Sequence, residues 1–302
     1  MTAHLIDGHG CARALLAGLA DEVAALRTAP VLATLVAGGD HGSALYHRRL
    51  QALAGRLGIG HTARELPPDA GQQQVLDAVA ALNADPAVSG ILLLRPLPPG
   101  VDEAAVFAAL DPAKDVEAVH PENAGLLALG VPRFVPPTPA AVFHLLDTWL
   151  DDVGEARADF YHRSRIVVVG RSNTVGRPAV ALGCAREAVV ESVDEWADRT
   201  RGLGRHTRWA DVLIVAAGRP GLIRAEHVTP GTVVIDVGIN AVRGPDGRVR
   251  TVGDVDATSV APRARALTPV PGGVGPVTDA WLLRSTVAAA RNRTEPSLQE
   301  VS

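Results

Sequence analysis

Lysine is all but missing from these 302 residues: of 29 basic side chains only Lys114 is a lysine, and the rest are arginine. Cysteine occurs twice, at Cys11 and Cys184, far apart and outside any CxxC or His/Cys cluster, so the sequence indicates neither a zinc site nor a disulfide framework. A reducing cytoplasm is the expected compartment. No apolar run approaches the ~20 residues of a membrane span, and the opening MTAHLIDGHG has no basic leader or long apolar core, so a soluble, unprocessed chain is expected. An excess of one charge is also lacking. With 29 basic against 33 acidic residues and a formal charge of -4, there is no footprint for nucleic acid or an anionic membrane. Small molecules or further copies of the chain remain as partners. Aromatic residues make up 3% of the chain and include two tyrosines, so a tyrosine placed on a polar helix merits a reason.

Apolar residues make up 47% of the chain, ample for burial, and the length favours two domains over one. Apolar spacing predicts a helix over 11–27, and PVLATLVAGG from Pro30 reads as a buried strand. A helix through LYHRRLQALAGRL follows, ending at Gly58 in a left-handed cap. Then come a strand near HTARELP, a helix in GQQQVLDAVAALN and the strand SGILLLRPLP. Parallel strands need crossovers, so this alternation predicts a helix-covered parallel sheet. A proline cluster in VPPTPAAVFHLLDTWLDD marks a hinge, with a helix starting after Thr138 and Pro139 at its first position. Beyond it, strands RIVVVG, EAVVESV, DVLIVAAG and TVVIDVG form a doubly wound pattern closed by a helix in VTDAWLLRSTVAAARNR. The tail TEPSLQEVS reads as disordered.

Three stretches carry residues suited to chemistry. In Gly170-Arg-Ser-Asn-Thr-Val-Gly176-Arg-Pro178, a strand ends in glycine and a helix begins on another, which lets amides approach a phosphate; Arg171 and Ser172 add a cation and a hydroxyl. An ordinary tight turn would use the same glycines. Thr268-Pro-Val-Pro271-Gly-Gly-Val-Gly275-Pro-Val-Thr278 is stiff and nearly free of side chains, fit to lie against a planar ligand, with Thr278 as a helix cap. Lys114-Asp-Val-Glu117 gathers charge in a loop, where a carboxylate can accept two parallel hydrogen bonds or be merely solvated.

GRSNTVGRP, TVVIDVGIN, GDVD and TPVPGGVGPVT, in this order and spacing, resemble the methylenetetrahydrofolate dehydrogenase/cyclohydrolase family. The SxxY of Ser43 to Tyr46, GILLLRPLP, KDVE with HPEN, and PTP at 137–139 fall where that family has its folate-site motifs. The resemblance implies an α/β chain with a folate-type domain over 1–139, a Rossmann-like NAD(P) domain over 140–277, and a cleft between them. The helix over 278–293 is expected to pack back on the first domain, leaving 294–302 as the disordered tail. It also implies hydride transfer from 5,10-methylenetetrahydrofolate to NADP or NAD, followed in many members by hydrolysis of the methenyl product, and a homodimer. Implied substrate contacts are Ser43, Tyr46, Pro96, Glu117, Pro271, Gly272 and Gly273. Implied cofactor contacts are Gly170, Arg171, Ser172, Gly176, Arg177, Asp194, Gly218, Ile239, Gly275 and Thr278; no metal is implied.

The chain departs from the family at its chemical centre. Tyr46 matches the active-site tyrosine, but Leu50 stands where the family has a lysine one turn onward, and Leu94 where it has that lysine's glutamine partner. Arg49 could reach the same side only as a fixed charge, and Lys114 matches a different family lysine. Glu117 and Ala118 replace an aspartate and a glycine, and Asp194-Glu195 stand where many relatives have His-Ser beside the adenosine ribose. Dehydrogenation is expected to survive and cyclohydrolase to be weak or lost, unless a different substrate is used or the chain only binds folates or nucleotides. Carboxylates at 194 and 195 favour NAD, whereas Arg171 and Arg177 favour NADP.

Overall fold

The computed structural model describes residues 3–37, 41–194, 196, 197, 199, 202–244 and 247–294. The elements are β1 (His4–Leu5), α1 (Gly8–Ala25), β2 (Val31–Ala37), α2 (His41–Arg56), β3 (Gly60–Leu66), α3 (Gln72–Ala84), β4 (Gly90–Leu94), α4 (Glu103–Ala108), α5 (Pro121–Ala128) and α6 (Pro137–Asp152). They continue as α7 (Arg157–Arg163), β5 (Arg165–Val169), α8 (Gly176–Cys184), β6 (Val189–Val193), α9 (Gly204–Thr207), β7 (Val212–Val215), β8 (Val233–Asp236), β9 (Asn240–Arg243), β10 (Val249–Val252), α10 (Ala257–Val260), β11 (Ala266–Leu267) and α11 (Val274–Thr294). Two compact units result: Ala14–Pro137 with Asp279–Ser302, and Met1–Arg13 with Thr138–Thr278.

The first unit holds a parallel sheet in the order β3-β2-β4, in which Thr34 pairs with both Ala63 and Leu92. All five residues of β4 are buried, which is why GILLL reads as an unbroken apolar run instead of alternating. Leu282, Leu283 and Val287 of α11 join Leu19, Leu32, Leu50 and Leu92 in one apolar cluster. The second unit holds a sheet in the order β1-β11-β8-β7-β5-β6, parallel throughout, plus the β9–β10 hairpin. Its strands β5, β7 and β8 are almost wholly buried.

Three expectations need correction. Residues 1–13 belong with the second unit and not with the residues up to 139, because β1 pairs with β11, His4 against Ala266 and Leu5 against Leu267. Helix α6 begins at Pro137 and not after Thr138; proline has no amide hydrogen to leave unpaired, so the first turn tolerates two of them. Helix α11 begins at Val274, so Thr278 lies a turn inside it and its hydroxyl donates back to Val274 O (3.2 Å) instead of capping. Gly58 does adopt the left-handed conformation expected of it (φ 74°). Most of the expected tail lies outside the described residues.

Candidate active site

In the first unit, the spacing of α2 sets Tyr46 and Leu50 on one face, a turn apart. Leu50 is fully buried and Leu94, at the end of β4, is 7% exposed; both belong to the cluster against which the Tyr46 ring packs. The position of the expected ammonium is therefore apolar core. Charge enters from two neighbours. Arg49 lies with its guanidinium carbon 5.4 Å from the centre of the Tyr46 ring, and its Nη2 is 2.9 Å from Asp279 Oδ2. Arg95, on the residue after Leu94, donates to Glu117 Oε1 at 2.9 Å. In each pair the carboxylate side chain is the buried partner, 6% exposed for Asp279 and 12% for Glu117. Asp279 Oδ1 and Glu117 Oε2 are both buried, the first carboxylate facing the Tyr46 hydroxyl and the second the Leu93 amide.

These surroundings move proton affinities. Burial, then the Asp279 and Glu117 charges, push the Tyr46 phenol up, so it stays protonated. Burial pushes Asp279 up to about 6 against the pull of Arg49, and raises Glu117 against the pull of Arg95. Lys114 is not near this chemistry as a free base. Its Nζ donates to Leu82 O (3.2 Å) and Asn83 O (2.6 Å), in the last turn of α3, and to Asp85 O (2.7 Å) just beyond it, which also accepts from the Val88 amide (3.2 Å). Asp115 Oδ2 accepts from the His120 amide and from Asn123 Nδ2, bracing the loop that presents Glu117. Ala118, in the place of a glycine, takes the left-handed conformation a glycine would favour (φ 53°). Pro96 follows a cis bond from Arg95. Ser43 lies in the first turn of α2, and its side chain is outside the described part.

In the second unit, Gly170 has φ 120°, and a Cβ there would meet Ala216 O at 2.1 Å; a Cβ on Gly176 would meet Gly170 O at 2.1 Å. Only glycine fits either place. Ser172 Oγ accepts from the Val175 and Gly176 amides (3.2 and 3.4 Å), which leaves its own hydrogen for another acceptor. Arg171 donates to Asp194 Oδ2 (2.9 Å), Ser192 O (2.7 Å) and Ser192 Oγ (3.1 Å). Gly170, Arg171, Ser172 and Asp194 line one cavity of about 280 Å³, together with Ala217 and Arg219. A backbone cradle at the start of a nine-residue helix, under a carboxylate at the end of the neighbouring strand, fits a dinucleotide.

Other expected contacts sit elsewhere. Arg177 is exposed in the first turn of α8, Ile239 is 71% exposed, and Gly218 donates its amide to Asp254 Oδ2 (2.8 Å); none of them lines the cavity. Nor do Gly275 and Thr278, in the first two turns of α11. Pro271, Gly272 and Gly273 precede them in a loop so close to α1 that a Cβ on Gly8 would meet Gly273 O at 1.8 Å. Glu195 lies outside the described residues. The sequence reading missed Asp279 and Arg95, as well as Asp236, whose carboxylate accepts from the Gly238, Asp254 and Val255 amides. An acid directly after Thr278, at the head of an apolar helix, was the available signal for Asp279.

Comparison with known proteins agrees with this geometry. Residues 6–117 match the catalytic domain of tetrahydrofolate dehydrogenase/cyclohydrolase, and residues 136–294 match its NAD(P)-binding domain. The bifunctional protein FolD 3 of Rubrobacter xylanophilus is 55% identical over 296 residues, covering 96% of this chain and 93% of the relative. The crystal structure of the bifunctional enzyme FolD from Campylobacter jejuni superposes with a TM-score of 0.87 at 34% identity, over 96% of this chain and 99% of that one. Trypanosoma brucei FolD, solved with NADP and an inhibitor, gives a TM-score of 0.88 at 33% identity, over 97% and 99%. On both its domains, this chain belongs to the tetrahydrofolate dehydrogenase/cyclohydrolase family.

Proposed function

We propose that the chain is a 5,10-methylenetetrahydrofolate dehydrogenase whose cyclohydrolase step is weak or lost, and that it accepts NAD in preference to NADP. The observation that carries the proposal is the burial of Leu50 and Leu94 in one apolar cluster, which leaves no ammonium and no amide a turn from Tyr46. Hydrolysis of the methenyl carbon needs an activated water and proton transfers, for which one positioned acid or base contributes ~10²- to 10⁴-fold. Hydride removal moves no proton and depends on holding the carbon in place. Glu117 supports folate binding: its carboxylate is buried beside Tyr46, and a pterin's amidine edge offers two parallel donors to such a group.

When bound, the oxidised dinucleotide supplies the hydride acceptor. Gly170, Ser172 and the first amides of α8 would hold its phosphates, and Asp194 would accept from the free ribose 2′-hydroxyl of NAD. Arg171, the cation a 2′-phosphate would call for, is already bonded to Asp194 and Ser192. A cytoplasmic homodimer completes the proposal; the dimer is supported by β6, which among the described residues is an edge of its sheet, with Val189 57% exposed.

Purified protein assayed with methylenetetrahydrofolate and each dinucleotide, and separately for methenyltetrahydrofolate decay, tests this reading. Dehydrogenase turnover with NAD and decay near the uncatalysed rate are expected. Decay keeping pace with the dehydrogenase would overturn the loss of hydrolysis. No turnover with either dinucleotide would mean that another substrate is used.

A further inference from the structure

Leucine at 50 and 94 leaves no buried cation there, yet the cluster around Tyr46 is not neutral. It holds two buried carboxylates, Asp279 (6% exposed) and Glu117 (12%), each paired with a more exposed arginine, Arg49 (59%) and Arg95 (32%). Although the Arg49 guanidinium lies 5.4 Å from the centre of the Tyr46 ring, water screens it more than the buried carboxylates, and the Asp279 and Glu117 charges outweigh it at the phenol. Where the family resemblance implies a positive charge, this chain has inverted the sign.

The inversion matters because of what the reaction makes. The C–H bond of the methylene bridge breaks and its electron pair leaves with the hydrogen for the oxidised dinucleotide; a nitrogen lone pair closes to C=N. The folate loses two electrons, the dinucleotide gains them, and no proton is exchanged. The folate product is a delocalised cation. A buried ammonium beside that carbon opposes its formation, whereas a buried carboxylate favours it and attracts no electrons away from it.

We propose that Asp279 is a positioning and specificity residue that commits the site to dehydrogenation, holding negative charge against Tyr46 through its pair with Arg49; the inference rests on the folate reading above. Asp279 stands at the first position where α11 enters the first unit, so the helix itself carries the carboxylate to the tyrosine. Arg49 keeps Asp279 largely ionised at neutral pH despite its burial. Leu50 serves the same end, since an ammonium there would neutralise the carboxylate.

The test compares dissociation constants for two ligands, cationic 5,10-methenyltetrahydrofolate and uncharged-bridge tetrahydrofolate, measured by rapid mixing before the former hydrolyses. Their ratio cancels the pterin and glutamate contacts they share, together with any general loosening of the site. Asp279→Asn should shift the ratio against the cation by ~10-fold or more and lower kcat without raising KM for the dinucleotide; Asp279→Glu should recover part of both. Arg49→Gln, which removes the charge that holds Asp279 ionised, should move the ratio against the cation at neutral pH and recover it as pH rises. In the parent, the preference for the cation should fall as pH drops through about 6, the ionisable groups facing Asp279 being Arg49 and Tyr46 of α2. Equal weakening of both ligands in Asp279→Asn, which leaves the ratio unchanged, or an unchanged ratio in Arg49→Gln at neutral pH would overturn the inference. Should Asp279→Asn fail to fold, Arg49→Gln and the pH series decide. A parent that binds neither folate would overturn the proposed function and this inference together, a result distinct from normal folate binding without discrimination.

Discussion

Replacing Asp194 with serine should turn the enzyme toward NADP. Asp194 Oδ2 holds Arg171 Nη1 at 2.9 Å, and its Oδ1 accepts from the Trp196 amide at 3.1 Å. Serine keeps an acceptor for that amide while removing the charge. Arg171 retains both hydrogen bonds to Ser192, so it stays in place with one edge released. Two effects then add. A hydrogen bond between guanidinium and phosphate contributes about 1.5–3 kcal/mol, and a partly buried carboxylate no longer repels a dianion, roughly another 1 kcal/mol at the effective dielectric of a protein surface. Side-chain exposures of 50% for Arg171 and 27% for Asp194 argue for the lower end of that range. The ratio of kcat/KM for NADP to that for NAD should rise by ~10- to 10²-fold, most of it lost again at high salt. Steady-state kinetics with both dinucleotides, at two ionic strengths, measure it. A change under threefold would refute the reasoning, as would a parent that already prefers NADP more than tenfold.

Two further outcomes follow from the buried groups. Leu50→Lys alone should destabilise the fold by about 3 kcal/mol or more, from lost apolar burial and an unpaired buried ammonium; joined to Leu94→Gln it should regain stability and give measurable methenyltetrahydrofolate hydrolysis. No gain in a folded, folate-binding double variant would mean that the pocket serves another substrate. Lys114→Met should cost about 2–4 kcal/mol in urea unfolding by leaving the Leu82 and Asn83 carbonyls without that donor, Asp85 O keeping the Val88 amide, with KM for the dinucleotide unchanged; a loss under 1 kcal/mol would show that water replaces the ammonium.

Much of the architecture was legible because it is built from short-range pattern. The run RIVVV is a strand buried on both faces, and the helical spacing in GQQQVLDAVAALN gives α3 within a residue at each end. What stayed hidden depends on pairing far along the chain. Nothing in HL at 4–5 announces a partner at 266–267, and helix starts hidden in proline-rich loops lack the amide pattern that marks a cap. The same division runs through the site. Tyr46, Leu50 and Leu94 could be read from spacing alone, whereas Asp279 acquires its meaning only once α11 packs beside α2. Arg171 and Asp194 could be read individually as favouring opposite cofactors; that they bond to each other is a fact of the folded chain.

Lys114 gives the molecule a chemical property unrelated to catalysis. Every other basic side chain is an arginine or a histidine, and this one primary amine is 6% exposed with its hydrogens directed at three carbonyls. Acylating reagents and amine-directed crosslinkers therefore meet, on the folded surface, an almost inert protein apart from the α-amino group. When the end of α3 opens, a nucleophile emerges where there was none. A single acylation at residue 114, read by mass, then counts openings of that one region against a silent background, so the scarcity of lysine turns a structural clasp into a reporter of its own release.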